Sequence, residues 1–169
     1  MHRTRSLLMV LMMLTLLVAF RANATLVPYP LEKMVNKAEL IVIGEVIRLE
    51  RTNIKFKNYR RPLNRATIQI ETVLKGERGK QEVDVFYLPV VEQPDFKMGE
   101  RAIVFIYTFE DRYWVVQGMM GEVIIESKLK PDLTREEVVE PFNIVGENHE
   151  QPLDEFLGKI RTLLQGQKE

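Results

Sequence analysis

The chain has 169 residues, contains no cysteine, and carries 24 basic and 24 acidic residues, so its formal net charge is zero. The lack of cysteine excludes disulfide bonds, thiolate zinc sites and a cysteine nucleophile. The balanced charge argues against a general nucleic-acid binder, because such proteins neutralise phosphates with an excess of Lys and Arg.

The N-terminus has the three-part layout of a secretory signal peptide. A basic region with Arg3 and Arg5 precedes an apolar run over residues 7–20, and Ala22-Asn23-Ala24 supplies the small residues that a signal peptidase recognises. We therefore predict that residues 1–24 are removed and that the mature protein is periplasmic or secreted. An uncleaved anchor in the inner membrane is the alternative, although the apolar run is shorter than the roughly 20 residues that span a bilayer.

Cleavage after Ala24 leaves residues 25–169, a length that suits one domain. Removing Arg3, Arg5 and Arg21 leaves 21 basic against 24 acidic residues, a net charge of −3. No later segment is long and apolar enough to predict a transmembrane helix after signal cleavage.

Two helices are predicted, one near each end of the mature domain. Residues 31–38 place apolar side chains on one helical face. Residues 152–165 repeat apolar positions at helical spacing, with Pro152 at the start and Gly166 just after the end, as helix boundaries prefer. We expect the apolar stripe of this second helix to dock on the rest of the domain.

About six strands are predicted between these helices. Residues 40–49 begin with an apolar run typical of a strand buried on both faces, and residues 66–74 alternate between apolar and polar. The other strands are predicted at 83–87, 102–109, 113–117 and 123–126. The polar, acidic residues 128–151 are predicted to form an irregular crossing.

Short strands joined by hairpin turns predict a mainly β fold, as a small antiparallel barrel or sandwich. A tight turn is expected at Glu110-Asp111-Arg112. The aromatic residues on the two strands beside it are expected to form core contacts and cross-strand pairs. They are Phe105, Tyr107, Phe109, Tyr113 and Trp114.

Residues 31–126 resemble a group of uncharacterised bacterial exported domains. The segments that carry the resemblance are 38–46 (AELIVIGEV), 71–76 (ETVLKG), 96–105 (FKMGERAIVF) and 113–121 (YWVVQGMMG). Their strand pattern is similar to the oligonucleotide/oligosaccharide-binding (OB) barrel of netrin-like modules and tissue inhibitors of metalloproteinases. The resemblance implies an OB-like barrel, export and a non-catalytic role. The inhibitors cap a catalytic zinc with an N-terminal cysteine, which this chain lacks, so no functional residue carries over.

The sequence contains few residues suited to catalysis or metal binding. Ser127 and His149 are the only serine and histidine of residues 25–169, and His149 lies in a polar stretch typical of an exposed loop. Glu147, His149 and Glu150 lack the spacing of a calcium loop. We therefore predict no catalytic residue, no metal site and no cofactor.

A basic segment, residues 51–65, is the most unusual feature. It contains six cations and no acid, with aromatic and apolar residues between them. The candidate binding residues are Arg51, Lys55, Lys57, Tyr59, Arg60, Arg61 and Arg65. In an OB-type barrel the connection between the first two strands borders the ligand face, which favours binding of a polyanion or a protein. The alternative is a solvated hairpin whose charges pair with the acidic residues 132–155.

The leading functional hypothesis is an exported, non-enzymatic binding module whose partner is an envelope or extracellular protein or an anionic surface. A small hydrolase, or an inhibitor of a hydrolase or protease, is the alternative, because paired carboxylates can converge in any fold. A structural role in the cell envelope is a third possibility.

Overall fold

A computed structural model describes residues 29–56, 62–89, 94–116, 118–132, 134–141, 144–147 and 149–167. Within these ranges the protein is mainly β, with ten strands, two α-helices and one 3-10 helix. The predicted signal peptide, residues 1–24, lies outside the described residues. No helix in the described ranges has the length and apolar character needed to cross a membrane.

The two predicted helices are confirmed as α1 (Leu31–Lys37) and α2 (Leu153–Gly166). The strands are β1 (Tyr29–Pro30), β2 (Leu40–Lys55), β3 (Pro62–Lys75), β4 (Glu82–Tyr87), β5 (Arg101–Phe109), β6 (Arg112–Val115), β7 (Glu122–Leu129), β8 (Arg135–Val139), β9 (Ile144–Val145) and β10 (Gln151–Pro152). The 3-10 helix, Gly118–Gly121, connects β6 to β7.

Eight of these strands form one mixed sheet in the order β10-β8-β7-β5-β2-β3-β4-β6. Strand β6 pairs in parallel with β4 and also antiparallel with β5. Strands β1 and β9 form a separate, parallel two-stranded sheet. The long hairpin of β2 and β3 therefore lies at the centre of the architecture.

The prediction of an irregular crossing over residues 128–151 was wrong, and so was the count of about six strands. Strand β8 pairs with β7 from Ile125↔Val139 to Leu129↔Arg135. Only Val138 and Val139 of β8 are buried, and the rest of the strand is polar because it faces solvent. A strand with so few apolar residues gives no clear alternation, so the sequence pattern concealed it.

In its described residues the basic segment takes the hairpin form of the alternative prediction rather than the form of a connection between strands. Strand β2 continues through Lys55 and β3 begins at Pro62, so most of the segment's described residues belong to strands. The register pairs Arg51 with Asn64 and Lys55 with Pro62. The described parts of the segment therefore extend the β2–β3 hairpin, and residues 57–61 lie outside the described ranges.

The first part of β2 and the centre of β5 are buried on both faces, as the apolar start of β2 predicted. Ile41 and Ile43 belong to a core shared with both helices, whereas Val42 and Val46 belong to a second core under β3 and β4. Gly44 is required between them, because a Cβ there would lie 2.3 Å from the Gln69 carbonyl oxygen. Both helices contribute residues to the first core, whereas the second core is built from strand residues and Phe96.

Candidate functional site

The structure describes three of the seven predicted binding residues. Arg51 and Lys55 are exposed on β2, and Arg65 is partly buried on β3. The other four lie outside the described residues: Lys57, Tyr59, Arg60 and Arg61. Because β2 and β3 are paired here, the described cations are carried by a hydrogen-bonded ladder.

Arg65 is engaged by two carboxylates of its own sheet. Its Nη1 lies 3.2 Å from Asp84 Oδ2, and its Nη2 donates to Glu50 Oε2. Glu50 lies directly opposite Arg65 in the β2–β3 register. The hydrogen bond with Glu50 raises the pKa of the Arg65 guanidinium. This side chain therefore supports the sheet, and less of it is available to a partner than the sequence suggested.

Arg48 and Thr67 extend this arrangement into a charge network of Arg48, Glu50, Arg65, Thr67 and Asp84. The Thr67 hydroxyl donates to Asp84 Oδ1 at 2.6 Å and accepts from Arg48 Nε at 3.1 Å. Arg48 Nε also lies 3.4 Å from Glu50 Oε1. Two cations and two carboxylates leave the charge network without net charge.

The acidic residues 132–155 form ion pairs with cations outside the basic segment. Among the described residues, none of these pairs involves Arg51, Lys55 or Arg65. The pairs are Lys130–Glu136, Arg101–Glu137, Lys128–Glu150, and Lys159 with both Glu147 and Glu155. The alternative in which the acidic stretch neutralises the basic hairpin therefore has no support from the described cations.

An aromatic cluster of Phe56, Phe109 and Trp114 joins the end of β2 to β5 and β6. The Phe56 ring lies 5.0 Å from the Trp114 ring and 5.9 Å from the Phe109 ring, measured between centroids. Trp114 is buried, and its Nε1 donates to the Phe109 carbonyl oxygen at 3.1 Å. The far end of β2 is thus attached to the body of the domain.

An open groove of about 440 Å³ lies beside the charge network. Its lining includes Arg48, Asp84, Phe86 and the turn residues 111–113. The predicted tight turn is confirmed, with φ of 49° at Glu110 and 57° at Asp111. Such left-handed residues suit two-residue hairpin turns, and here the turn places Asp111 on the rim of the groove.

Comparison with known proteins finds neither a family model nor a curated protein that matches this sequence.

Ser127 and His149 are both exposed. Glu147 accepts hydrogen bonds from Gln151 and Lys159, and Glu150 pairs with Lys128. Within the described ranges, no three His, Asp or Glu side chains are grouped closely enough to hold a metal ion.

Glu122, the first residue of β7, was not singled out from the sequence. It is only 8% exposed, and its Oε2 accepts from the Asp95 backbone N–H at 3.2 Å. Its Oε1 has no hydrogen-bond partner in the described part of the chain. Burial raises the pKa of Glu122 to about 8. An acid at the start of a strand usually faces solvent, so the sequence contained no signal of this burial.

Proposed function

We propose that this domain is an exported, non-enzymatic binding module that contacts an acidic surface of a protein partner through the β2–β3 hairpin. The proposal rests on the exposure of Arg51 and Lys55 and on their lack of an ion pair among the described residues. The contact of Phe56 with Trp114 holds this part of the hairpin, which lowers the entropy lost on binding.

We further propose that the sheet is an OB-like barrel. In support, the pairings run from β5 through β2, β3, β4 and β6 and return to β5, with β4 and β6 parallel. OB barrels have five strands and bind ligands on the face around their second and third strands. In this assignment those strands are β3 and β4, and the basic hairpin borders the face.

A protein partner suits this surface better than an extended polyanion. The charge network is neutral, and the groove carries Asp84 and Asp111 as well as Arg48. A polyanion would meet these carboxylates at close range and be repelled by them. Arg and aromatic residues are enriched in protein interfaces, and the groove carries Arg48 beside Phe86 and Tyr113.

The hydrolase alternative has less support from the groove. Catalytic carboxylates need access to the substrate and to the proton they transfer. Asp84 is engaged by both Arg65 and Thr67. Glu122, the acid with the raised pKa, is not among the described residues that line the groove.

The test compares capture of envelope proteins by the wild type and two charge-reversal variants. Arg51→Glu/Lys55→Glu alters the hairpin, and Lys33→Glu/Arg161→Glu makes the same charge change on exposed positions of α1 and α2. We expect the hairpin variant to lose a protein that the wild type and the helix variant retain, with the loss weakened at high salt. Equal capture by both variants contradicts the proposed surface. Retention of the wild type on dextran sulfate, lost in the hairpin variant, favours the polyanion instead.

A further inference from the structure

Residues 94–100, here called the end segment, cover one end of the second core just before β5. Phe96 is buried, and its ring lies 5.5 Å from the ring of Tyr87 on β4. The Gly99 N–H donates to the Val46 carbonyl at 2.8 Å, and the Val46 N–H donates to the Glu100 carbonyl at 2.9 Å. The end segment is thus attached to β2 by backbone hydrogen bonds and to the core by one aromatic ring.

Glu122 supplies a further attachment from β7. Its Oε2 receives the Asp95 N–H, whereas its Oε1 is enclosed without a partner among the described residues. A neutral carboxylic acid tolerates this environment far better than a carboxylate, because a buried charge without hydrogen bonds is costly. The geometry therefore suits the protonated side chain.

The charged and titratable groups around Glu122 shift its pKa in opposite directions. Glu100 and Asp95 oppose its ionisation, whereas Lys97 and the Asp95 N–H favour the ionised form. Tyr87 faces it from β4, and burial raises the pKa of this phenol. Burial is the largest influence on Glu122, so the balance keeps the acid neutral well above its ordinary titration range.

We propose that Glu122 is a pH-sensitive latch, which holds the end segment in place while its side chain is protonated and releases it as the side chain ionises. The ionised carboxylate needs water at Oε1, and lifting of the end segment admits it. The change also uncovers Phe96 and Tyr87. This site is separate from the hairpin surface, so the proposal does not rest on the proposed function.

The direction of the pH dependence follows from linkage. The closed form has a pKa of about 8 against an ordinary value of 4.5, so the closed form binds the proton more tightly than the open form. Closure is therefore most favourable below pH 4.5 and weakens as pH rises towards 8.

Amide hydrogen exchange of the wild-type domain tests the latch. We expect protection factors of the Asp95 and Gly99 amides to fall at least about tenfold between about pH 5 and 8, through an opening that depends weakly on denaturant. Glu122→Gln should remove this pH dependence. The matched control is Glu126→Gln, an exposed acid on the same strand, which should behave as the wild type.

The proposal is overturned if the Glu122→Gln protein keeps the pH dependence. It is also overturned if the end-segment amides exchange only with the core amides, at the same opening free energy and denaturant dependence. If Glu122→Gln does not fold, carboxyl ¹³C titration of the wild type decides. A Glu122 midpoint well above 4.5 that matches the change in protection supports the latch, and a midpoint near 4.5 overturns it.

Discussion

The ring of Phe56 lies 5.0 Å from the ring of Trp114, so the residue that follows β2 packs against β6. The contact adds to two other attachments of the extended hairpin, the fully buried Leu63 and the pairing of Asn64 with Tyr87 of β4. Such attachments matter because isolated two-stranded hairpins are marginally stable. The contact attaches the end of β2, which carries Arg51 and Lys55, to the body of the domain.

Phe56→Ala should loosen this end of the hairpin. Trp114 is the only tryptophan of the chain, so its fluorescence reports on the contact directly. We expect a red-shifted emission and a loss of about 1 kcal/mol in the free energy of unfolding, the usual size for a partly exposed aromatic pair. Val145→Ala, at a position that is 52% exposed, serves as the control. An emission spectrum identical to that of the wild type would contradict the contact.

Replacing Arg65 by Met should lower the free energy of unfolding more than replacing Arg51 by Met. Arg65→Met removes the closer of the two cations that Glu50 and Asp84 share, and Arg48 remains beside both, so we expect a loss of about 0.5–1 kcal/mol in the free energy of unfolding, limited by solvent screening. Arg51→Met should leave the unfolding midpoint almost unchanged. Urea denaturation of both variants measures this difference, and equal losses would show that Arg51 is also structural.

Ile160→Asp should destabilise the domain strongly. Ile160 has no exposed surface and lies in the core shared by α2 and the sheet. An unpaired charge there should cost at least about 3 kcal/mol. The neighbouring Arg161→Asp is the control, because Arg161 is exposed. An unfolding midpoint equal to that of the wild type would show that α2 contributes nothing to the core.

Glu71 should contribute to stability at neutral pH and lose this contribution in acid. Its hydrogen bonds with Arg101 lower the pKa of the carboxyl from 4.5, so the contribution is present above pH 4.5 and is lost as pH falls through the folded pKa. In wild type, the free energy of unfolding should decrease on acidification by about 0.5–1 kcal/mol more than in Glu71→Gln. Glu77→Gln, at a more exposed position, should follow the wild type. Parallel curves for wild type and Glu71→Gln would refute this role.

If the chain is exported, we expect a single mature form that consists of residues 25–169. The basic region, the apolar run and Ala22-Asn23-Ala24 together indicate cleavage after Ala24. Intact-mass measurement of the protein from the producing cells should give the mass of residues 25–169. Recovery of the complete chain from the membrane fraction would instead support the uncleaved anchor.

Local pattern was enough to predict both helices, the doubly buried start of β2 and the Glu110–Asp111 turn. These elements depend on periodicity and turn chemistry, which neighbouring residues determine. Strand β8 could not be predicted in this way, because it has only two buried residues and depends on pairing with β7.

The sequence by itself determined the mainly β character of the domain, its two amphipathic helices and the concentration of cations in residues 51–65. Only the tertiary structure decided which charges remain available to a partner. Arg65 is engaged because the register places Glu50 opposite it and β4 brings Asp84 alongside, whereas Arg51 and Lys55 stay exposed. Glu122 is placed in the same way, as a buried acid whose carboxyl accepts a hydrogen bond from the Asp95 N–H of the end segment, 27 residues earlier in the chain. Both outcomes depend on contacts between residues distant in the chain, which periodicity and composition do not encode.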